Sequence, residues 1–215
     1  TDNEMCSHYE APTPAQVAAE FGVKPYDQGK LDLWPTYFGP FIRRSENAEA
    51  QDEPGPTLEC MTGSFGLIPG WAKDTKIARR TFNCRSETAA EKPSFRNAWK
   101  RCQRCILPAS AFYEPDWRTG KAVPTRIFRA DGQTMGLAAL WDWWRSPAGE
   151  IIHSYSILTI NAGNHELMRN FHKPNDEKRM VVVLPKGLYT DWLDAPASEA
   201  MDFMRQFPAD RLATS

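Results

Sequence analysis

Turn-forming residues interrupt this chain too often for long helices: 17 Pro and 13 Gly are scattered through 215 residues. The apolar runs between them are short, and none approaches the ~20 residues needed to span a bilayer. Thr13-Pro14-Ala15-Gln16 predicts a helix start. Thr13 is the N-cap, Pro14 takes the first helical position and Gln16 reaches back as a capping box. That helix runs over Val17 and Ala18 to Phe21 and stops at Gly22. Arg126–Ala130 and Gln133–Leu140, joined by Asp131-Gly132, read as a hairpin. Ser154–Ile160 and Met180–Leu184 read as buried strands. Asn164 caps a short helix over His165–Asn170, and Ser198 caps another over Glu199–Phe207. Ser45–Pro56, acidic and with Pro and Gly, reads as a surface loop. The expected fold is therefore α+β, with a mostly antiparallel, barrel-like or bifurcated β-sheet core flanked by short helices.

Apolar residues make up 41 % of the chain and charged residues 25 %, which excludes an intrinsically disordered segment. The first residues lack the basic-then-apolar layout of a secretory signal. Five cysteines without framework spacing point to free thiols in a reducing compartment. The expectation is a cytoplasmic monomer, with one domain over 6–215 behind a leader at 1–5. A net charge of −1 hides an asymmetry. Ten basic residues against three acids lie between Lys73 and Arg104, giving +7 there and −8 elsewhere. Such an island is what a polyanion binder presents, although a solvated face has the same composition. Of the eight Trp, Trp141, Trp143 and Trp144 are assigned to the core.

No metal and no organic cofactor is expected. Cys102-x-x-Cys105 is half of a zinc ribbon, but Cys60 and Cys84 stand alone, and a four-ligand site needs a second pair. A phosphate-cradling glycine loop and a Gly-x-Ser-x-Gly elbow are both missing from the sequence. Cys6 stands out by its address directly after Met5. If the preceding peptide bond is cut, Cys6 carries an α-amine with a pKa of about 7.7–8.0 beside a thiol near 8.5. The amine can condense with an aldehyde and the thiol can then close a thiazolidine ring. An internal cysteine cannot, because its nitrogen is an amide. A plain cysteine in a frayed terminus is the simpler reading of position alone.

Five further segments follow Cys6 in order. They are Phe65-Gly66-Leu67-Ile68-Pro69-Gly70-Trp71, Thr81-Phe82-Asn83-Cys84-Arg85-Ser86-Glu87-Thr88, Leu107–Glu114, His172, and Arg179-Met180 leading into Val181-Val182-Val183-Leu184. This order resembles the SOS response-associated peptidase (SRAP) family across nearly all of residues 5–185. The family's pattern runs Met-Cys-Gly-Arg, Trp-Gly-x-x-Pro-x-Trp, Asn-x-Arg-x-Glu-Thr, Phe-x-Glu-Trp and His-x-Arg-Met-Pro. The resemblance implies a protein that binds single-stranded DNA and traps abasic sites through an N-terminal cysteine as a thiazolidine crosslink. It also implies peptidase-like removal of the residues ahead of that cysteine, in a bacterial or phage-derived protein that acts at the nucleoid. Carried over, Cys6 is the nucleophile, Asn83 holds the terminal residue and sugar, and Arg85 grips a flanking phosphate. Glu114 and His172 move protons. His8, Pro69, Trp71 and Arg179 join the DNA-binding set, with Pro69 and Trp71 as a wedge or stacking platform.

The chemistry independently asks for such groups. Opening a sugar hemiacetal needs an acid and a base, and a desolvated carboxyl with an imidazole can be tuned for that near neutrality. The chain departs from the pattern at several points. Ser7-His8 replaces Gly-Arg, Thr36-Tyr37-Phe38-Gly39-Pro40 lacks the family's Asn, and Pro115 follows Glu114. An insert, Lys173–Lys178, separates His172 from Arg179, and Val181 replaces Pro. Two alternatives stay open: a single-strand DNA module without the chemistry, and a cysteine peptidase or amidase built on Cys6, His172 and Glu114.

Overall fold

The computed structural model describes residues 5–46 and 57–215. The expected loop at Ser45–Pro56 from position 47 onward, and the expected leader up to position 4, lie outside the described residues. The strands are β1 (Tyr9–Glu10), β2 (Asp32–Leu33), β3 (Phe38–Arg44), β4 (Leu58–Phe65), β5 (Asn83–Arg85), β6 (Arg104–Ala109) and β7 (Ala111–Asp116). They continue with β8 (Val123–Arg129), β9 (Met135–Arg145), β10 (Ile151–Asn161), β11 (Arg179–Val181), β12 (Val183–Leu184) and β13 (Leu212–Thr214). Three α-helices, α1 (Pro14–Phe21), α2 (Arg96–Lys100) and α3 (Tyr189–Asp194), accompany them among the described residues.

The strands form two sheets. The larger runs β11-β10-β4-β3-β6-β9-β12, and β9 also pairs with β10, so β10, β4, β3, β6 and β9 close into a five-strand barrel. The smaller runs β13-β8-β7-β1-β2 and is antiparallel throughout. The expected α+β class with a barrel-like, mostly antiparallel core is therefore what the chain adopts. Eleven-residue β10 organises the barrel because each of its edges serves two strands. It is parallel to β4 and then β5 on one side, and antiparallel to β9 and then β11 on the other. Its Ser154–Ile160 stretch is buried on both faces, with only the small hydroxyls of Ser154, Ser156 and Thr159 set among Tyr155, Ile157, Leu158 and Ile160. Phe41, Phe65 and Tyr155 fill the barrel, and the Tyr155 and Tyr9 hydroxyls lie 2.6 Å apart, tying the smaller sheet to it.

Helix α1 forms as read: Thr13 accepts from Gln16 N, Gln16 reaches back to Thr13 N, and Gly22 ends the helix in the left-handed conformation. Val17 and Phe21 are its buried face. Helix α3 buries Trp192 completely, its Nε1 donating to Cys105 O at 3.0 Å. Arg104 belongs to this packing and not to the basic island. It is buried over the Trp192 ring and donates to the carbonyls of Trp192 and Ala195 that end α3.

Four local expectations are corrected. β8 and β9 form where expected but do not pair: β8 joins β7 and β13, while β9 joins β6, β10 and β12. Asp131-Gly132 is a turn between sheets, held by Asp131 accepting from Gln133 N and Arg129. The segment after Asn164 tightens only into a 3₁₀ turn over Met168–Asn170, where His165 Nδ1 and not Asn164 accepts from Met168 N. The C-terminal segment is likewise 3₁₀, over Ala197–Phe203, without a Ser198 cap. Trp141 and Trp144 are in the core, whereas Trp143 is exposed. Among the described residues no helix is long and apolar enough to cross a membrane.

Candidate functional site

The two sheets meet around Cys6. Strand β1 pairs with β7 in the register Tyr9↔Phe112 and Glu10↔Ala111. Continued toward the N-terminus, that register sets Cys6 opposite Pro115, next to Glu114. Tyr113 N donates to His8 O at 2.9 Å and holds the approach. The Cys6 backbone N–H donates to Glu114 Oε1 at 3.0 Å. On the other side of the same peptide bond, Asn83 Nδ2 donates to Met5 O. Asn83 is delivered by β5, whose parallel register places it beside Ile157 in the barrel wall.

His172 reaches the site from a third direction. Phe171 bridges to Asp116 at the end of β7, and His172 N donates to Pro115 O at 2.9 Å. Its Nε2 then stands 3.5 Å from Glu114 Oε2, buried and with no closer polar partner among the described residues. Cys6 (φ +23°) and His172 (φ +65°) both adopt positive φ, which L side chains seldom accept. Such strain costs about 1–3 kcal/mol per residue and persists where surrounding structure over-determines the geometry. Cys6, Asn83, Glu114 and His172, 166 residues apart along the chain at their extremes (172 − 6), thus share one site.

Burial sets the protonation states. Glu114 is 2 % exposed, and desolvation pushes its carboxyl up to about 8, although the Cys6 N–H partly opposes this. Desolvation, reinforced by Lys178, pulls His172 down to about 4. At neutral pH the pair is a carboxylic acid facing a neutral imidazole. Burial also raises the Cys6 thiol well above its ordinary value. With Met5 in place Cys6 is only 1 % exposed and its nitrogen is an amide.

The residues assigned to DNA contact are distributed differently from expectation. His8 lies between the rings of Trp34 (4.0 Å) and Tyr113 (4.1 Å), with Nε2 bonded to Asp32. Pro69 is buried, while Trp71 is 54 % exposed and donates to Pro93 O. Arg179 is buried, with its guanidinium engaged by Glu87 (2.7 and 3.0 Å), Thr159 O (2.8 Å) and Glu177 (2.9 Å). Arg85 is exposed, but its Nη2 is paired with Glu177. Nine of the ten basic residues between Lys73 and Arg104 are on the surface, Arg104 being the exception. Sequence reasoning noticed the insert Lys173–Lys178 but not that Glu177 would meet both arginines. It also missed the Trp34–His8–Tyr113 stack, for which spacing alone offers no signal.

Fold and site together define an α+β protein that lodges one of its own cysteine peptide bonds between an amide, a buried carboxyl and an imidazole. A family model described as SOS response associated peptidase (SRAP) matches residues 5–215, and the chain belongs to this family. It is 35 % identical over 144 residues to the Abasic site processing protein YoqW of Bacillus subtilis (strain 168), covering 66 % of this chain and 59 % of that protein. It is 27 % identical over 205 residues to the Abasic site processing protein HMCES of Gallus gallus, covering 83 % and 58 %. The chain thus spans somewhat under three fifths of the length of these relatives. A solved structure from Bordetella bronchiseptica is 48 % identical and superposes with a TM-score of 0.88 over 98 % of both chains. One from Bacteroides thetaiotaomicron, 21 % identical, shares the fold with a TM-score of 0.78 over 97 % and 90 %.

Proposed function

We propose that this protein processes abasic sites in single-stranded DNA in two steps, first freeing the Cys6 amine and then trapping the lesion aldehyde covalently. One observation carries the reading: the Met5–Cys6 peptide bond is held from both ends, Asn83 Nδ2 at its carbonyl and Glu114 at its nitrogen. Hydrolysis consumes one water, leaving a carboxylate on Met5 and an amine on Cys6. Asn83 stabilises the oxyanion that develops on Met5 O, a role for which one donor is worth about 10²–10³ in rate. Glu114, kept as a neutral acid, supplies the proton for the departing nitrogen.

The freed amine then adds to the aldehyde of the ring-opened sugar, and loss of water leaves an imine. The thiol adds to the imine carbon, its proton passes to nitrogen, and the thiazolidine closes. Glu114 and His172 carry these protons, one as acid and the other as neutral base. The exposed basic surface between Lys73 and Arg101 supports phosphate contact, and exposed Trp71 supports stacking with a base. The similarity to relatives named abasic site processing proteins supports the same substrate class.

A second reading, binding of single-stranded DNA without chemistry, is favoured by one feature: the thiol is sealed and its nitrogen acylated. Intact-mass analysis separates the two. The covalent reading expects protein beginning at Cys6 and a heat-stable adduct with a uracil-excised oligonucleotide, weighing the sum of both minus one water. Capping the aldehyde with methoxyamine or replacing Cys6 by Ser should abolish it. Binding without an adduct from protein that begins at Cys6 refutes the covalent reading.

A further inference from the structure

We propose that Glu177 is an internal stand-in for a DNA phosphate, a residue that sets how tightly this protein holds a strand by occupying Arg85 until the strand displaces it. The inference rests on the single-strand binding reading above and names a determinant within it. Arg85 is the exposed cation closest in sequence to Asn83, two residues along β5, and its side chain is 52 % exposed. Glu177, from the segment between His172 and Arg179, places Oε2 on Arg85 Nη2, while Oε1 accepts from Arg179 at 2.9 Å and Asn161 at 3.2 Å. Against the cost of partial burial, these bonds hold the Glu177 carboxyl down to about 2, so it stays charged at any working pH.

The two arginines are not equivalent. Arg179 keeps both Glu87 oxygens and the Thr159 carbonyl without Glu177, so it stays buried and engaged whatever Glu177 does. For Arg85, Glu177 is the ion-pair partner among the described residues. The cluster of Arg85, Arg179, Glu87 and Glu177 is formally neutral, two cations against two anions. Elsewhere on the basic surface, Lys73, Arg79, Arg80, Lys92, Arg96, Lys100 and Arg101 have no ion pair among the described residues. A phosphate arriving at Arg85 must therefore exchange with a carboxylate, whereas at those positions it meets a cation with no such partner among the described residues. Every strand meets this competition, but a lesion-bearing strand is afterwards held covalently. The carboxylate thus shortens residence on undamaged DNA without touching the bond-forming groups.

The test is salt-dependent binding of a fluorescent, lesion-free oligothymidylate of about 20 nucleotides to the full chain, wild type and Glu177→Gln. Glutamine keeps the shape and the acceptor for Asn161 but removes the charge. The expected result is binding tighter by about 2- to 5-fold at low salt, the range of an exposed ion pair. The plot of log K against log salt should also steepen by about 0.7, one single-strand phosphate. Both effects should vanish in an Arg85→Gln background. A merely structural Glu177 would leave the slope unchanged. Unchanged or weaker binding by Glu177→Gln, or a gain that persists without Arg85, overturns the inference while leaving the strand-binding reading intact. If the wild-type chain binds no oligothymidylate at any salt, both fall together.

Discussion

Replacing Glu114 with glutamine separates the two consequences of burying its carboxyl. The folded protein holds this group near 8, against an ordinary value of 4.5. A raised pKa means that the folded state binds the proton more tightly, so folding takes up a proton wherever the unfolded chain is ionised. The penalty is absent below about pH 4.5, grows by about 1.4 kcal/mol per pH unit, and levels off above about pH 8. At pH 7 it amounts to about 3 kcal/mol, and beyond pH 8 to about 5. Glutamine is neutral throughout and can reproduce both contacts, its oxygen accepting from Cys6 N and its amide facing His172 Nε2. Glu114→Gln should therefore match wild type near pH 4.5 and exceed it by about 3 kcal/mol at pH 7. His172 titrates in the opposite sense: its pKa is lowered, so its contribution to stability is lost as pH falls below about 6.5. That contribution is common to both proteins and cancels in the difference. Urea unfolding at about pH 5, 7 and 8.5 measures it. A difference that is flat with pH, or a glutamine variant less stable at neutrality, would refute the claim that Glu114 is held protonated by burial. The same variant should lose adduct formation, an instance of a site group that costs stability and is kept for chemistry.

Further outcomes follow from the same geometry. Asn83→Ala removes the donor on Met5 O and should slow release of the Met5–Cys6 bond by about 10²–10³, followed as a mass-spectrometric time course. Wild-type release of the Met5–Cys6 bond should slow as pH rises through about 8, when Glu114 ceases to be an acid, and single-turnover rates across that range check it. Gly66→Ala places a Cβ 2.0 Å from Ala78 O at a φ of +126°. The loop carrying Pro69 and Trp71 must then shift, at a cost of several kcal/mol read from the urea midpoint.

Much of the candidate site was legible because the motifs that carry the family resemblance are local. Cys6, Asn83, Glu114 and His172 were singled out from short motifs in chain order, and the structure brings them around one peptide bond. Helix α1 was equally legible, since its cap, first-turn proline and terminal glycine act within a few residues. The β8–β9 hairpin was not, because an Asp-Gly turn specifies a reversal of the chain but not which strands then pair. His8 was read by position as a phosphate contact, yet Trp34 and Asp32, more than twenty residues away, claim it. Arg104 looked like part of the basic island until α3, almost ninety residues further on, offered its unpaired carbonyls.

What the sequence by itself determined is the set of reactive groups and the short elements that carry them, since side-chain chemistry, capping and turn formation act between near neighbours. Tertiary structure alone decided which of those groups are ionised and which cations are free. Desolvation of Glu114 and His172, and the capture of Arg85 by Glu177, depend on atoms brought together from distant parts of the chain, where burial and Coulomb attraction take effect only through space.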